Sequence, residues 1–175
     1  MRIYISLFIF LFVLLACERN LVSSKITRVG LSNFEYVSKR ISILEDTLHT
    51  SYERLMRNEI DTLPMHTIHR LESNYKRAFS LDRKNVVASI YLDKLQQLYL
   101  QERKYALSIA WTDTLLLHFP HNKQKAALLL NAATTAEIYL KDQQKMRYYY
   151  ERLLREHPKL KKEVVEMVEF RLKKS

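Results

Sequence analysis

Cys17 and the histidines are the side chains in this sequence best suited to take a metal or a covalent group. His66 and His69 stand three residues apart, a spacing that puts both rings on one face of a helix. His118 and His121 repeat that spacing on either side of Phe119-Pro120. Zinc takes three or four such ligands. Neither pair has a cysteine partner, so both read as surface or loop histidines, and no metal or other cofactor is expected. The glutamates fall at helical spacing from basic residues, as Glu151 does from Arg155, and read as ion-pair partners, not as an acid/base dyad. Loops that cradle phosphate or shape a nucleophile elbow need several glycines at fixed spacing. Gly30 is the only one, which removes all of these motifs. No enzymatic activity and no small-molecule substrate are expected.

Cys17 is different, because of what surrounds it. Arg2 opens the chain, and Ile3 to Ala16 is a stretch of 14 residues without charge. An apolar helix needs about 20 residues to cross a bilayer. A positive start followed by a short apolar run reads as a secretory signal. An ordinary cleavage site carries small residues at −3 and −1. Cleavage before Cys17 would put Ala16 at −1 but bulky Leu14 at −3. The other reading of the segment is an uncleaved membrane anchor with an incidental cysteine.

Leu14-Leu15-Ala16-Cys17 resembles a bacterial lipobox, with Leu15 bulkier than the usual residue at −2. The resemblance implies that residues 1–16 are removed as a signal peptide and that Cys17 becomes a diacylated, palmitate-bearing first residue. Two acyl chains are enough for stable anchoring. The lone cysteine then needs no disulfide partner. Glu18 follows it where aspartate would imply inner-membrane retention, so the resemblance points to a membrane-anchored lipoprotein of the bacterial cell envelope, on the outer membrane.

Removing 16 residues from 175 leaves 159, enough for one domain with a core of its own. Arg2 leaves with them, so the charge of the mature chain is 28 − 19 = +9. Its basic residues are interleaved with acids, as in "KDQQKMRYYYERLLREHPKLKKEVVEMVEFRLKK", which describes solvated helix faces and not a continuous basic patch. No nucleic-acid partner is expected. One glycine and three prolines leave little material for tight hairpins. The chain therefore reads as all-α, with long helices joined by short loops.

Residues 17–32 hold little periodicity and read as a lipidated cysteine and tether, followed by a helical domain over 33–175. Phe34, Val37, Ile41, Leu44, Leu48, Tyr52 and Leu55 step by three and four, an amphipathic helix. "DTLP" ends it, and Pro64 suits the first turn of a second helix carrying Met65, Ile68, Leu71, Tyr75 and Phe79. Val87 to Tyr99 makes a third helix and Tyr105 to His118 a fourth. A fifth runs from Ala126 to Leu140, and a sixth carries Met146, Tyr149, Tyr150 and Leu153. Val164, Val168 and Leu172 mark a seventh, strongly charged helix. Three consecutive tyrosines on a helix cannot share a face; Tyr150 reads as core, Tyr149 as its flank and Tyr148 as surface.

The breaks at Leu81–Asn85, His118–Asn122 and Glu156–Leu160 are alike. Arg83 to Pro120 is 37 residues and Pro120 to Pro158 is 38, each interval holding two helices. A period of this length marks stacked helical hairpins, whose neighbours complete one core. The pattern resembles tetratricopeptide repeats (TPR). Counting back from Pro120, Leu92, Leu95, Tyr99, Ser108 and Leu115 fill the repeat's apolar and small positions. From Pro158, Met146, Tyr150 and Leu153 do so. Gln96 replaces a glycine, Thr112 an aromatic and Met146 an alanine.

The resemblance implies TPR-like antiparallel helical hairpins stacked as a short solenoid, with the last helix, "EVVEMVEFRLKK", as a C-terminal cap. Repeats of this longer kind are similar to those of envelope lipoproteins related to the outer-membrane β-barrel assembly lipoprotein and to pilotins. That implies a scaffold or adaptor for protein–protein interactions, its partner an envelope protein or peptide. The alternatives are a pilotin-like assembly factor or chaperone for an outer-membrane or secreted protein, and a metal-dependent envelope enzyme using His66 and His69. First helices of such hairpins line the groove, which nominates Gln96, Tyr99, Asn131 and Thr135 as partner-binding residues. Tyr148 joins them as an exposed aromatic.

Overall fold

The computed structural model describes residues 32–174. The signal segment, Cys17 and the tether lie outside the described residues. Seven α-helices follow one another: α1 (Asn33–Met56), α2 (Met65–Leu81), α3 (Val86–Gln101), α4 (Tyr105–His118), α5 (Lys125–Thr135), α6 (Gln143–Glu156) and α7 (Lys162–Lys174). There is no strand among the described residues, and no helix there is long and apolar enough to cross a membrane. Each helix packs on the one before it, α2 on α1, α3 on α2, α4 on α3, and so on to α7 on α6, and side chains reach one helix further, as from Lys94 to Glu45 and from Tyr149 to Asp113. That is the connectivity of a solenoid, in which each unit is completed by its neighbours.

Local chemistry sets the ends. Ser32 Oγ accepts from the Glu35 amide (3.2 Å) and Glu35 Oε2 accepts from the Ser32 amide (2.8 Å), a reciprocal capping box at α1. Asn85 caps α3 by accepting from the Val87 amide, and Asp142 caps α6 by accepting from the Lys145 amide. Pro64 stands one position earlier than the sequence suggests, at the N-cap of α2, where its carbonyl accepts from the Thr67 and Ile68 amides. Proline has no N–H to lose at either position.

The three hairpin turns share one device. Asn58 (φ 57°), Arg103 (φ 60°) and Lys141 (φ 52°) each take the left-handed conformation after the first helix of a pair. The amide that follows each then reaches back over the helix end, Glu59 to Arg54, Lys104 to Tyr99 and Asp142 to Ala136. This is the Schellman closure, usually built on glycine, which this chain does not place there. The third closure spans one residue more than the other two, because Ala136–Leu140 forms a single π-helical turn at the end of α5. Lys141→Gly should therefore stabilise the protein, by up to about 1 kcal/mol, since it relieves the Cβ clash of the left-handed state. Urea unfolding measures it, and a loss of stability would contradict the reading.

The core is one continuous cluster along the stack. Leu92, Leu95, Tyr99, Leu115, Leu129, Met146, Tyr150 and Leu153 are essentially inaccessible to solvent. The departures from the repeat pattern are accommodated at the same positions. Ser108 Oγ donates to the Gln96 carbonyl (2.9 Å), so α3 and α4 meet through a buried hydrogen bond where the pattern has glycine against alanine. Thr112 turns inward and donates to the Ser108 carbonyl (3.0 Å). Met146 on α6 is fully buried, and the facing α5 segment contributes the small, buried Ala132, Ala133 and Ala136. A large residue on one helix is matched by small ones on its partner.

Tyrosine hydroxyls tie the helices together. Tyr75 donates to Glu45 (2.7 Å), Tyr99 to Glu72 (2.6 Å), Tyr149 to Asp113 (2.8 Å) and Tyr150 to Glu137 (3.2 Å). Burial is the first cause that pushes all four phenols above their ordinary range, with the carboxylates adding to it, so each hydroxyl stays protonated and donating at neutral pH. Lys94, Lys76 and Arg171 neutralise Glu45, Glu72 and Glu137 in turn.

Candidate functional site

A cleft lies between the first turns of α3 and the loop joining α4 to α5, with a volume of about 620 Å³. Val86 and Ile90 form its apolar side, with 75% and 46% of their surface exposed. His118, Phe119, Pro120, His121 and Asn122 form the opposite wall, and Asp93 lies between the two. The helix supplies Ile90 and Asp93 three residues apart on one face. Leu92, Leu95 and Tyr99 point the other way, into the core. The cleft therefore exists because α3 buries one stripe and leaves another uncovered.

A network on the far side of the loop holds the wall in place. Lys125 Nζ donates to the Pro120 carbonyl (3.3 Å) and pairs with Glu156 at the end of α6 (2.7 Å). Arg152 Nε binds the other oxygen of Glu156 (2.7 Å). These two cations, Lys125 first, hold the Glu156 carboxyl down to about 2 from an ordinary 4.5. Because the folded value lies below the unfolded one, this contribution is complete above about pH 4.5 and is lost as pH falls towards 2. Glu156→Gln should cost roughly 1 kcal/mol at pH 7, discounted for partial solvent screening. It should also flatten the acid limb of stability between pH 4.5 and 2, which urea midpoints across that range would record.

The structure separates the residues nominated from sequence. Gln96, Tyr99 and Thr135 are buried, while Asn131 and Tyr148 are exposed. None of the five lines the cleft. The Gln96 side chain donates to Asp93 (3.1 Å), and the Tyr99 hydroxyl is occupied by Glu72. Tyr148 stands at the other end of the stack, edge-on to Tyr149 (centroids 5.0 Å apart) and within 3.4 Å of Arg152. Of the histidines, His118 and His121 share the cleft wall. His66 contacts Thr67 and His69 faces Glu72, so this pair looks to different neighbours. Among the described residues no three histidine, cysteine or acidic side chains are placed to hold one metal ion.

Ile90 and Asp93 lie outside the residues that the repeat pattern nominates. Their signal was a second stripe on α3, Ile90, Asp93 and Gln97 at steps of three and four, opposite the apolar one.

No family model matches the chain, and no curated protein matches it by sequence. Among solved structures it is similar to the N-terminal domain of stress-induced protein-1 (STI-1) from C. elegans. The two share 15% of their residues over 77% of this chain and 96% of that one, with a TM-score of 0.54. The fold is TPR-like. At that identity the likeness speaks for the architecture alone.

Proposed function

We propose that this protein is a lipid-anchored adaptor of the bacterial cell envelope, binding a protein or peptide partner without transforming it. The observation that carries the binding part is the uncovered apolar cleft on α3, formed where a first helix of a hairpin meets an interhelical loop. The exposed Val86 and Ile90 face Phe119, Pro120 and a set of polar side chains across it, the mix of apolar surface and a few polar groups that binding clefts use. The anchoring part rests on the Leu14–Cys17 segment of the sequence. A pilotin-like role is the specialised form of the same reading, in which the partner is one exported protein escorted to its membrane.

A photoreactive amino acid placed at Ile90 and irradiated in intact cells tests the adaptor reading. It should yield a discrete crosslinked species. The same probe at Leu107, exposed on α4 outside the cleft, should not. Equal labelling at both sites, or none at Ile90, would remove the cleft as the partner site. In the pilotin form, deleting this gene should also mislocalise the captured protein.

A further inference from the structure

The carboxylates that stitch the helices together are each occupied. Glu45, Glu72, Glu137 and Glu156 carry a lysine or arginine, and Asp113 takes the Tyr149 hydroxyl on both oxygens. Asp93 has neither kind of partner among the described residues. Its oxygens accept only from the side-chain amides of Gln96 (3.1 Å) and Gln97 (2.9 Å), both on its own helix. Its neighbour Lys94 is turned away, both oxygens of Glu45 lying within 2.9 Å of its ammonium. Asp93 is half-buried, and that burial pushes its carboxyl above the usual range, outweighing the hydrogen bonds of Gln96 and Gln97 and the charge of Lys94 that pull it down. It is also the one acidic side chain lining the cleft.

We propose that this cleft receives an extended peptide segment in which an apolar side chain is followed by a single lysine or arginine, the apolar group against Val86 and Ile90 and the cation on Asp93. The proposal deepens the adaptor reading and rests on it. Charge complementarity selects the occupant. A cation would give Asp93 the charge-assisted hydrogen bond that its own chain does not supply. An acidic segment would set a second carboxylate beside a half-buried one, which is costly. Lys123 also lines the cleft, so each basic residue beyond the one that Asp93 offsets would add uncompensated repulsion. A volume of about 620 Å³ falls within the ~300–1,000 Å³ of sites that take a drug-sized ligand, room for a few side chains.

The test uses the full chain in detergent and three fluorescein-labelled peptides of sequence Ser-Leu-Xaa-Ala-Ser, with lysine, glutamine or glutamate as Xaa. Anisotropy should show the lysine peptide binding about tenfold tighter than the glutamine one, the scale of one charge-assisted hydrogen bond, and the glutamate peptide weakest. Asp93→Asn should remove the lysine preference and leave the glutamine peptide unchanged. Ile90→Ser should weaken both. Asp93→Ser replaces the asparagine variant if that one does not fold, and the comparison of peptides on the unaltered protein needs no variant. Binding of the glutamate peptide as tight as that of the lysine peptide would overturn the proposal. So would a lysine preference that survives in Asp93→Asn, or no binding of any peptide up to millimolar concentration. A partner crosslinked at Ile90 together with indifferent peptides would sink this inference and spare the adaptor reading. A lysine-selective cleft with no partner in cells would do the reverse.

Discussion

Tyr150→Ala is expected to destabilise the protein by about 3–5 kcal/mol, the range for removing a large aromatic from a close-packed core. Tyr150 is 1% exposed and belongs to the continuous cluster that runs along the stack. Its hydroxyl donates to Glu137 on the π turn, and the other oxygen of Glu137 holds Arg171 of α7 (2.6 Å). One side chain therefore fills the α5–α6 interface and helps to position the carboxylate on which the terminal helix rests. The backbone of α7 approaches only α6, so the Arg171–Glu137 pair is its tie to the π turn. Tyr150→Phe keeps the ring and deletes the hydroxyl, so its cost should be smaller, about 1.5 kcal/mol at most for one hydrogen bond. Urea unfolding of both variants separates packing from hydrogen bonding. A Tyr150→Ala cost near that of Tyr150→Phe would mean that the ring is not buried as described.

Much of this architecture was legible in the sequence, for reasons that can be traced. The helices show themselves because each buries a single stripe against its neighbours, so the step of three and four survives at Val37, Ile41 and Leu44 or at Leu71, Tyr75 and Phe79. The repeat shows itself because proline and asparagine must stand where helices stop. The left-handed turn residues were not legible. Asn58, Arg103 and Lys141 hold positions that favour glycine, and nothing in the identity of an arginine or a lysine announces a positive φ. The π turn is similarly hidden, since Ala136–Leu140 carries ordinary helix-forming residues and one extra residue in the turn only becomes visible as the Asp142-to-Ala136 closure.

The candidate cleft was harder to read than the fold. Gln96, Tyr99 and Thr135 were nominated by position in a repeat whose groove-facing and core-facing residues alternate within one helical turn. The structure places all three inside. A polar type at a helix position does not say which way it faces, because Gln96 satisfies its amide on Asp93 and Tyr99 its hydroxyl on Glu72. The cleft depends on a loop, Phe119–Asn122, approaching the first turns of α3, and a contact between segments some thirty residues apart leaves no periodic trace.

Cys17→Ala should abolish acylation and keep the chain at its precursor mass. Each acyl chain contributes about 0.8 kcal/mol per buried CH₂, and one myristoyl chain alone gives a partition constant of only about 10⁴ M⁻¹. Two chains roughly double the free energy, which brings the constant to the order of 10⁸ M⁻¹ and makes attachment stable. Simple fractionation would not isolate this effect, because an unprocessed variant retains the 14 uncharged residues from Ile3 to Ala16 and can pellet with membranes through them. Two readouts do isolate it. Radiolabelled palmitate should enter the unaltered protein and not the variant. Intact mass should show the unaltered chain shortened by residues 1–16 and carrying acyl groups, against an uncleaved, unmodified variant. If the unaltered protein takes up no label and keeps its first 16 residues, the segment is an uncleaved anchor with an incidental cysteine, and the adaptor is held at the membrane by that segment instead of by a lipid.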